Sequence, residues 1–224
     1  MKNILSLLLL IIFCASCKKS PAGPEPVEIN GNFSNVVILG NSITLAASDP
    51  SIGWNGNWGM AASAPEFDYV HILESRLKQK NNLAKLTAFN ISQFERDYVH
   101  YNLDDNLKEF RKSKPDLLII RIGENISQDS IDITVFERKY TDLITYFKSD
   151  NPSLKVLGVG SFWGNEIADR IMAEKSDFIT LKSLNEDLSN YAWGLYNDQG
   201  VASHPSDKGM KAISDMIWKK MSLL

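Results

Sequence analysis

Val36 to Leu45 reads VVILGNSITL, an apolar, β-branched run that ends in Gly40 and then delivers Asn41 and Ser42 into a turn. A run of this kind with no polar alternation suits a central strand of a parallel sheet, covered by helices on both faces. In open α/β sheets ligands bind beyond the carboxyl ends of the strands, so a hydroxyl presented there is a candidate nucleophile. Glycine, Asn and Ser are also ordinary turn and cap residues, so the rest of the chain has to decide between the two uses.

Downstream of this stretch, strand and helix patterns alternate. Val70, Leu73 and Leu77 fall at helical spacing, and Leu86 to Ile91 reads as a second strand. Leu103, Leu107 and Phe110 share a helical stripe that stops before Lys114-Pro115, because a residue preceding proline avoids helical dihedrals. Leu117 to Ile122 is a third strand, apolar except for Arg121, and it ends at Gly123-Glu124-Asn125. A helix marked by Phe136, Tyr140, Leu143 and Phe147 follows, then a fourth strand from Val156 to Phe162, a helix over Glu166 to Lys175, and a short strand from Phe178 to Leu181. Met210, Ile213, Ile217 and Met221 mark the last helix. This alternation predicts an α/β fold: a doubly wound, flavodoxin-like five-stranded parallel sheet with helices on both faces. It forms a single domain over 34–224, with no internal repeat.

The amino terminus reads differently. Met1-Lys2 is followed by an apolar stretch from Ile4 to Phe13 and then by Cys14-Ala15-Ser16-Cys17. The apolar stretch is too short for a membrane span and has the form of an export signal. Its end resembles the lipobox of bacterial lipoproteins. That resemblance implies a signal peptide over 1–16, lipidation of Cys17, and an exported protein held at the cell envelope through that anchor. Pro21, Pro24 and Pro26 stand among small and polar residues and make 17–33 a flexible tether. A formal charge of -3 and the lack of a long basic cluster argue against a nucleic-acid partner. With Cys14 and Cys17 the only cysteines, the domain contains no thiol for a disulfide or a metal.

Two more stretches carry chemistry. Asn125 lies on the same rim as Ser42, where its side-chain amide can donate to an oxyanion. The other stretch is His204-Pro205-Ser206-Asp207-Lys208-Gly209-Met210. Its proline, placed just inside a helix start, sets His204 at the helix mouth. The loop from Ala46 to Pro65 carries Trp54 and Trp58 among glycines; it either walls a substrate site or packs its own rings.

Taken together, these blocks resemble the SGNH, or GDSL-type, hydrolase superfamily of esterases and carbohydrate deacetylases. Gly40-Asn41-Ser42 is similar to the G-D-S block with Asn for Asp, Gly123-Glu124-Asn125 to the start of the G-x-N-D block with Ile126 for its Asp, and His204-Pro205 to the terminal H-P block. The resemblance implies Ser42 as nucleophile, His204 as base and Asn125 as oxyanion donor, with no cofactor and no metal. It also implies an acylated carbohydrate or other small ester as substrate. The family's third triad member stands three residues before the histidine, where this chain has Val201. Asp198 or a backbone carbonyl is left to orient the ring. The glycine block of the oxyanion hole is replaced by Asn90 to Glu95, so the backbone N–H groups of Ser42, Ser92 or Glu95 are the candidates there. Two rivals remain: an inactive glycan-binding lipoprotein on the same fold, and a flavodoxin-like cofactor binder. The second lacks a Ser/Thr/Gly-dense phosphate loop after the first strand.

Overall fold

The computed structural model describes residues 33–224. The expected signal peptide, the lipidation site at Cys17 and most of the tether lie outside these residues. Phe33, assigned to the tether from sequence, is buried in the core and belongs to the domain.

Its elements are β1 (Asn35–Gly40), α1 (Tyr69–Lys80), β2 (Lys85–Asn90), α2 (Ser92–Arg96), α3 (Leu103–Lys112), β3 (Leu117–Arg121), α4 (Ile133–Lys148), β4 (Lys155–Val159), α5 (Glu166–Lys175), β5 (Asp177–Ile179), α6 (Lys182–Asn185), α7 (Gln199–Ala202) and α8 (Asp207–Met221). The strands form one parallel sheet in the order β2-β1-β3-β4-β5, as the alternation predicts. β1 is buried on both faces. Val36 and Ile38 pack under α1 and α8 with Leu73, Leu77, Ile213 and Ile217. Val37 and Leu39 face α3, α4 and α5 with Leu107, Phe136, Tyr140 and Ile171. Successive strand side chains point to opposite faces, so an uninterrupted apolar run is what two covering layers require.

Helix starts are fixed by polar side chains. Asp68, Asn102, Asp132, Asn165 and Ser206 cap α1, α3, α4, α5 and α8 respectively, each accepting from a backbone N–H of the first turn. Such a cap typically stabilises a helix by about 1 kcal/mol. α3 ends at Ser113, and the chain leaves through Lys114 at a φ of 52° before Pro115. Pro205 stands one residue ahead of the Ser206 cap, and not inside the helix start as its sequence setting suggests.

Strand order reverses between β1 and β3, and that reversal opens the crevice in which open α/β sheets bind ligands. The two motif glycines sit at its mouth. A Cβ on Gly40 would collide with the Thr44 side chain, and Gly123 has a φ of 135° with Ser161 Cβ only 2.9 Å from where its own would stand. Neither position accepts another residue without strain.

Candidate active site

The turn after β1 is built by Asn41. Its backbone carbonyl accepts from Thr44 and Leu45, both at 2.9 Å, and its side-chain oxygen accepts from Ile43 N–H at 3.2 Å. That oxygen also takes a bond from Arg121 Nη1 at 2.7 Å, while Nδ2 donates to Glu124 Oε2 at 2.6 Å and Glu95 Oε1 at 3.2 Å. The position therefore needs an acceptor and a donor on one buried side chain. An Asp would set a third carboxylate beside two others, which is the physical reason for Asn in this block.

Ser42 is half-buried at the head of the turn, and its Oγ lies 2.8 Å from His204 Nε2. The other ring nitrogen, Nδ1, is 2.7 Å from the Gly200 carbonyl. A carbonyl only accepts, so Nδ1 carries the proton and Nε2 presents its lone pair to Ser42. The ring is almost fully buried, and the pKa of His204 is pushed down, chiefly by burial, against the upward pull of the Gly200 carbonyl.

Asp198 does not reach this histidine. Its carboxylate accepts from Val201 N–H at 2.9 Å and caps α7. Val201, in the slot three residues before His204, is buried among Ala46, Trp54, Ala61 and Ala192. Of the two orienting groups left open by the sequence, the backbone carbonyl is the one in place.

The backbone donors also sort out. Ser92 N–H is taken by Asn90 Oδ1 at 2.8 Å, and Glu95 N–H points along α2 to the Ile91 carbonyl at 3.4 Å. Both are committed because β2 runs into α2 through Ile91: the Asn90 side chain and the Ile91 carbonyl, just ahead of the helix, take the N–H groups its first turn leaves open. Ser42 N–H has no acceptor among the described residues and is the backbone donor that stays free. Asn125 sits at the end of β3, where its Nδ2 donates to Glu95 Oε2 at 2.7 Å.

Beneath the rim lies a polar cluster that sequence reasoning did not assemble. Fully buried Arg121 pairs with Glu124, which also accepts from Phe162 N–H at 2.6 Å. Glu95 accepts from Gly123 N–H at 2.7 Å and Asn125 N–H at 3.2 Å, as well as from both asparagine side chains. Its pKa is raised, first by burial and then by the charge of Glu124, against these hydrogen bonds. A lone arginine in an apolar strand was the available signal, because a buried cation requires a partner. Ile126, in the slot of the family's aspartate, is buried in the apolar core instead.

The tryptophan loop packs its own rings. Trp54 is buried, meets Trp58 edge-on at 5.5 Å, and donates to the Ala46 carbonyl; Trp58 donates to Ala62. The expected substrate wall at Trp54 and Trp58 is therefore corrected to a structural cluster. Two other indoles take the exposed positions. Trp163 follows β4, meets the His204 ring edge-on at 5.3 Å and is pinned by a bond from Nε1 to the Ser203 carbonyl. Trp193 stacks on Tyr191 at 5.7 Å and leaves its other face open.

No protein-family model matches the sequence, and no curated protein matches it. Solved structures do resemble it. A two-domain esterase active on acetylated mannans superposes with a TM-score of 0.54 at 20% identity, covering 84% of this chain and 48% of that one. This chain spans about half the length of that enzyme. The psychrotrophic esterase EstA from Pseudoalteromonas sp. gives a TM-score of 0.53 at 13% identity over 85% of this chain and 97% of that one. A carbohydrate esterase family 2 enzyme with a carbohydrate-binding domain, from Corynascus thermopiles (Myceliophthora fergusii), gives 0.53 at 15% identity over 91% and 68%. At these identities the likeness is one of fold.

Proposed function

We propose that this chain, whose fold is that of the SGNH, or GDSL-type, hydrolases, is a serine ester hydrolase working through an acyl-enzyme. The observation that carries this reading is the 2.8 Å contact of Ser42 Oγ with a histidine whose other nitrogen is held by a carbonyl. Ser42 Oγ attacks the ester carbonyl carbon while His204 Nε2 takes its proton. The oxyanion that forms is met by Ser42 N–H and the Asn125 amide. On collapse the acyl–oxygen bond breaks, and His204 returns the proton to the leaving alcohol. Water activated by the same nitrogen then releases the acid.

A short acyl group on a glycan is the substrate class proposed. It is supported by the exposed indole of Trp163, which meets the ring of the general base. Aromatic faces stack on sugar rings with about 1 kcal/mol or more to offer. The mannan activity of the two-domain neighbour supports it as well. Trp163→Ala should raise KM for an acetylated manno-oligosaccharide by about fivefold to tenfold relative to KM for an aryl acetate. Equal effects on both substrates would remove the sugar from the account. Export and anchoring through Cys17 belong to the same reading, and Cys17→Ala should release the protein from membrane fractions.

The basic experiment is turnover of an aryl acetate by purified protein. Turnover supports the hydrolase; binding of an acetylated glycan without turnover supports the inactive glycan-binding rival, which the valine at the acid position favours. pH gives a further check. His204 acts as base only when neutral, and burial lowers its pKa, so activity should persist further into acid than an ordinary histidine allows. The acid limb of kcat/KM is expected below about pH 6.5. A midpoint clearly above that value contradicts a buried, carbonyl-held base.

A further inference from the structure

The Asn125 side chain is held at both ends. Its Nδ2 donates to Glu95 Oε2 at 2.7 Å, and its Oδ1 accepts from Arg96 Nη2 at 2.9 Å. Arg96 is itself steadied by a second bond from Nη1 to Ser92 Oγ, one helical turn back on α2, at 2.9 Å. A carboxamide has two nearly isosteric orientations, and these partners admit one. A guanidinium only donates, so the oxygen must face Arg96; a carboxylate accepts, so the nitrogen faces Glu95. Flipping the amide would set N–H against guanidinium and carbonyl against carboxylate. Of the two Nδ2 protons Glu95 takes one and the other is left free.

Glu95 does more than hold one amide. Its Oε1 also accepts from Asn41 Nδ2 at 3.2 Å and from the N–H groups of Gly123 and Asn125, so one buried carboxylate ties the turn carrying Ser42 to the rim carrying Asn125. Glu95 closes the Asn90 to Glu95 segment that stands where the family's glycine block would supply a backbone donor, and Arg96 follows it as the last residue of α2. The N–H groups of Ser92 and Glu95 are occupied there, and α2 contributes two side chains instead.

We propose that Glu95 and Arg96 are positioning residues that lock the Asn125 carboxamide with one N–H aimed at the oxyanion. This rests on Asn125 being an oxyanion donor. The lock lets this chain dispense with the glycine-block donor, because a donor fixed in advance pays no reorganisation when charge develops. Arg96 offers the cleaner test: it is exposed on α2, whereas Glu95 is buried with several partners and its replacement risks the fold.

Arg96→Ala should lower kcat for an aryl acetate by about tenfold with KM changed less than about twofold, since the lost interaction acts on the transition state. Arg96→Lys should recover part of the loss by keeping one donor. In an Asn125→Ala background, Arg96→Ala should cost nothing more, because the group it positions is gone. The same tenfold loss in both backgrounds, or an unchanged kcat in Arg96→Ala, overturns the proposal. If Asn125→Ala keeps full kcat, the oxyanion role of Asn125 is what has failed, and the lock falls with it. A readout free of turnover is the side-chain amide NMR signal of Asn125, identified by its loss in Asn125→Ala. Its two protons should be well separated in the wild type and move together in Arg96→Ala; an unaltered signal counts against the lock whatever the kinetics.

Discussion

Replacing Ser42 with Ala is expected to abolish ester hydrolysis, by at least about four orders of magnitude in kcat, while the melting temperature stays within a few degrees of wild type. The reason for the loss is that, among the described residues, Ser42 alone sets a hydroxyl at His204 Nε2. Stability should survive because the turn is not held by this side chain. Asn41 closes it through two backbone bonds and anchors it to Glu95, Glu124 and Arg121, all of which remain. Hydrolysis measured on an aryl acetate and unfolding measured on the same sample check both halves. Retained turnover in a folded Ser42→Ala protein would show that another group attacks.

The second large effect separates His204 from Asp198. His204→Ala should remove nearly all activity, and Asp198→Asn should cost less than about tenfold. A carboxylate partner serves a catalytic histidine in two ways: it fixes the tautomer and it stabilises the imidazolium. In serine proteases, loss of the correct tautomer costs about four orders of magnitude. Here the Gly200 carbonyl, 2.7 Å from Nδ1, performs the first task and gives only dipolar help with the second. Asp198 works at a distance as the cap of α7, and Asn is an equally good cap, so the helix that carries Gly200 should hold in Asp198→Asn. Steady-state kinetics on the two variants decides the matter. A thousandfold loss in folded Asp198→Asn would mean that the carboxylate swings to His204 in the working enzyme.

The sheet was legible because strand and helix periods differ. β1 carries an unbroken apolar run from Val36 to Leu39, β3 one from Leu117 to Ile120, α8 repeats Met210, Ile213, Ile217 and Met221, and Pro115 closes the helix before β3. The short elements were harder to see. α2, α6 and α7 have five residues or fewer, too few for a 3.6-residue period to show. The pairing of Ser42 with His204 was legible through motif order, since both lie at the same rim of a parallel sheet. What orients the histidine was not, because a backbone carbonyl leaves no mark in a sequence. Asp198 drew attention as the nearest acid upstream of His204, yet its spacing to Val201 is that of a cap. The tryptophans misled for a related reason. Trp54 and Trp58 sit close to Ser42 in the chain, but their ring N–H groups find loop carbonyls, while Trp163 reaches the His204 ring from a distant segment. Glu95, Arg121 and Glu124 come from two separate segments and become a cluster only when β1, β3 and α2 converge.

The central claim is that Ser42 is a nucleophile activated by His204, and covalent labelling tests it most directly. The purified protein would be incubated with a fluorophosphonate, and its intact mass and peptides measured. One adduct per chain is expected, on the peptide holding Gly40-Asn41-Ser42, absent from Ser42→Ala and strongly slowed in His204→Ala. No adduct on the folded protein, or an adduct that persists in Ser42→Ala, would contradict the account.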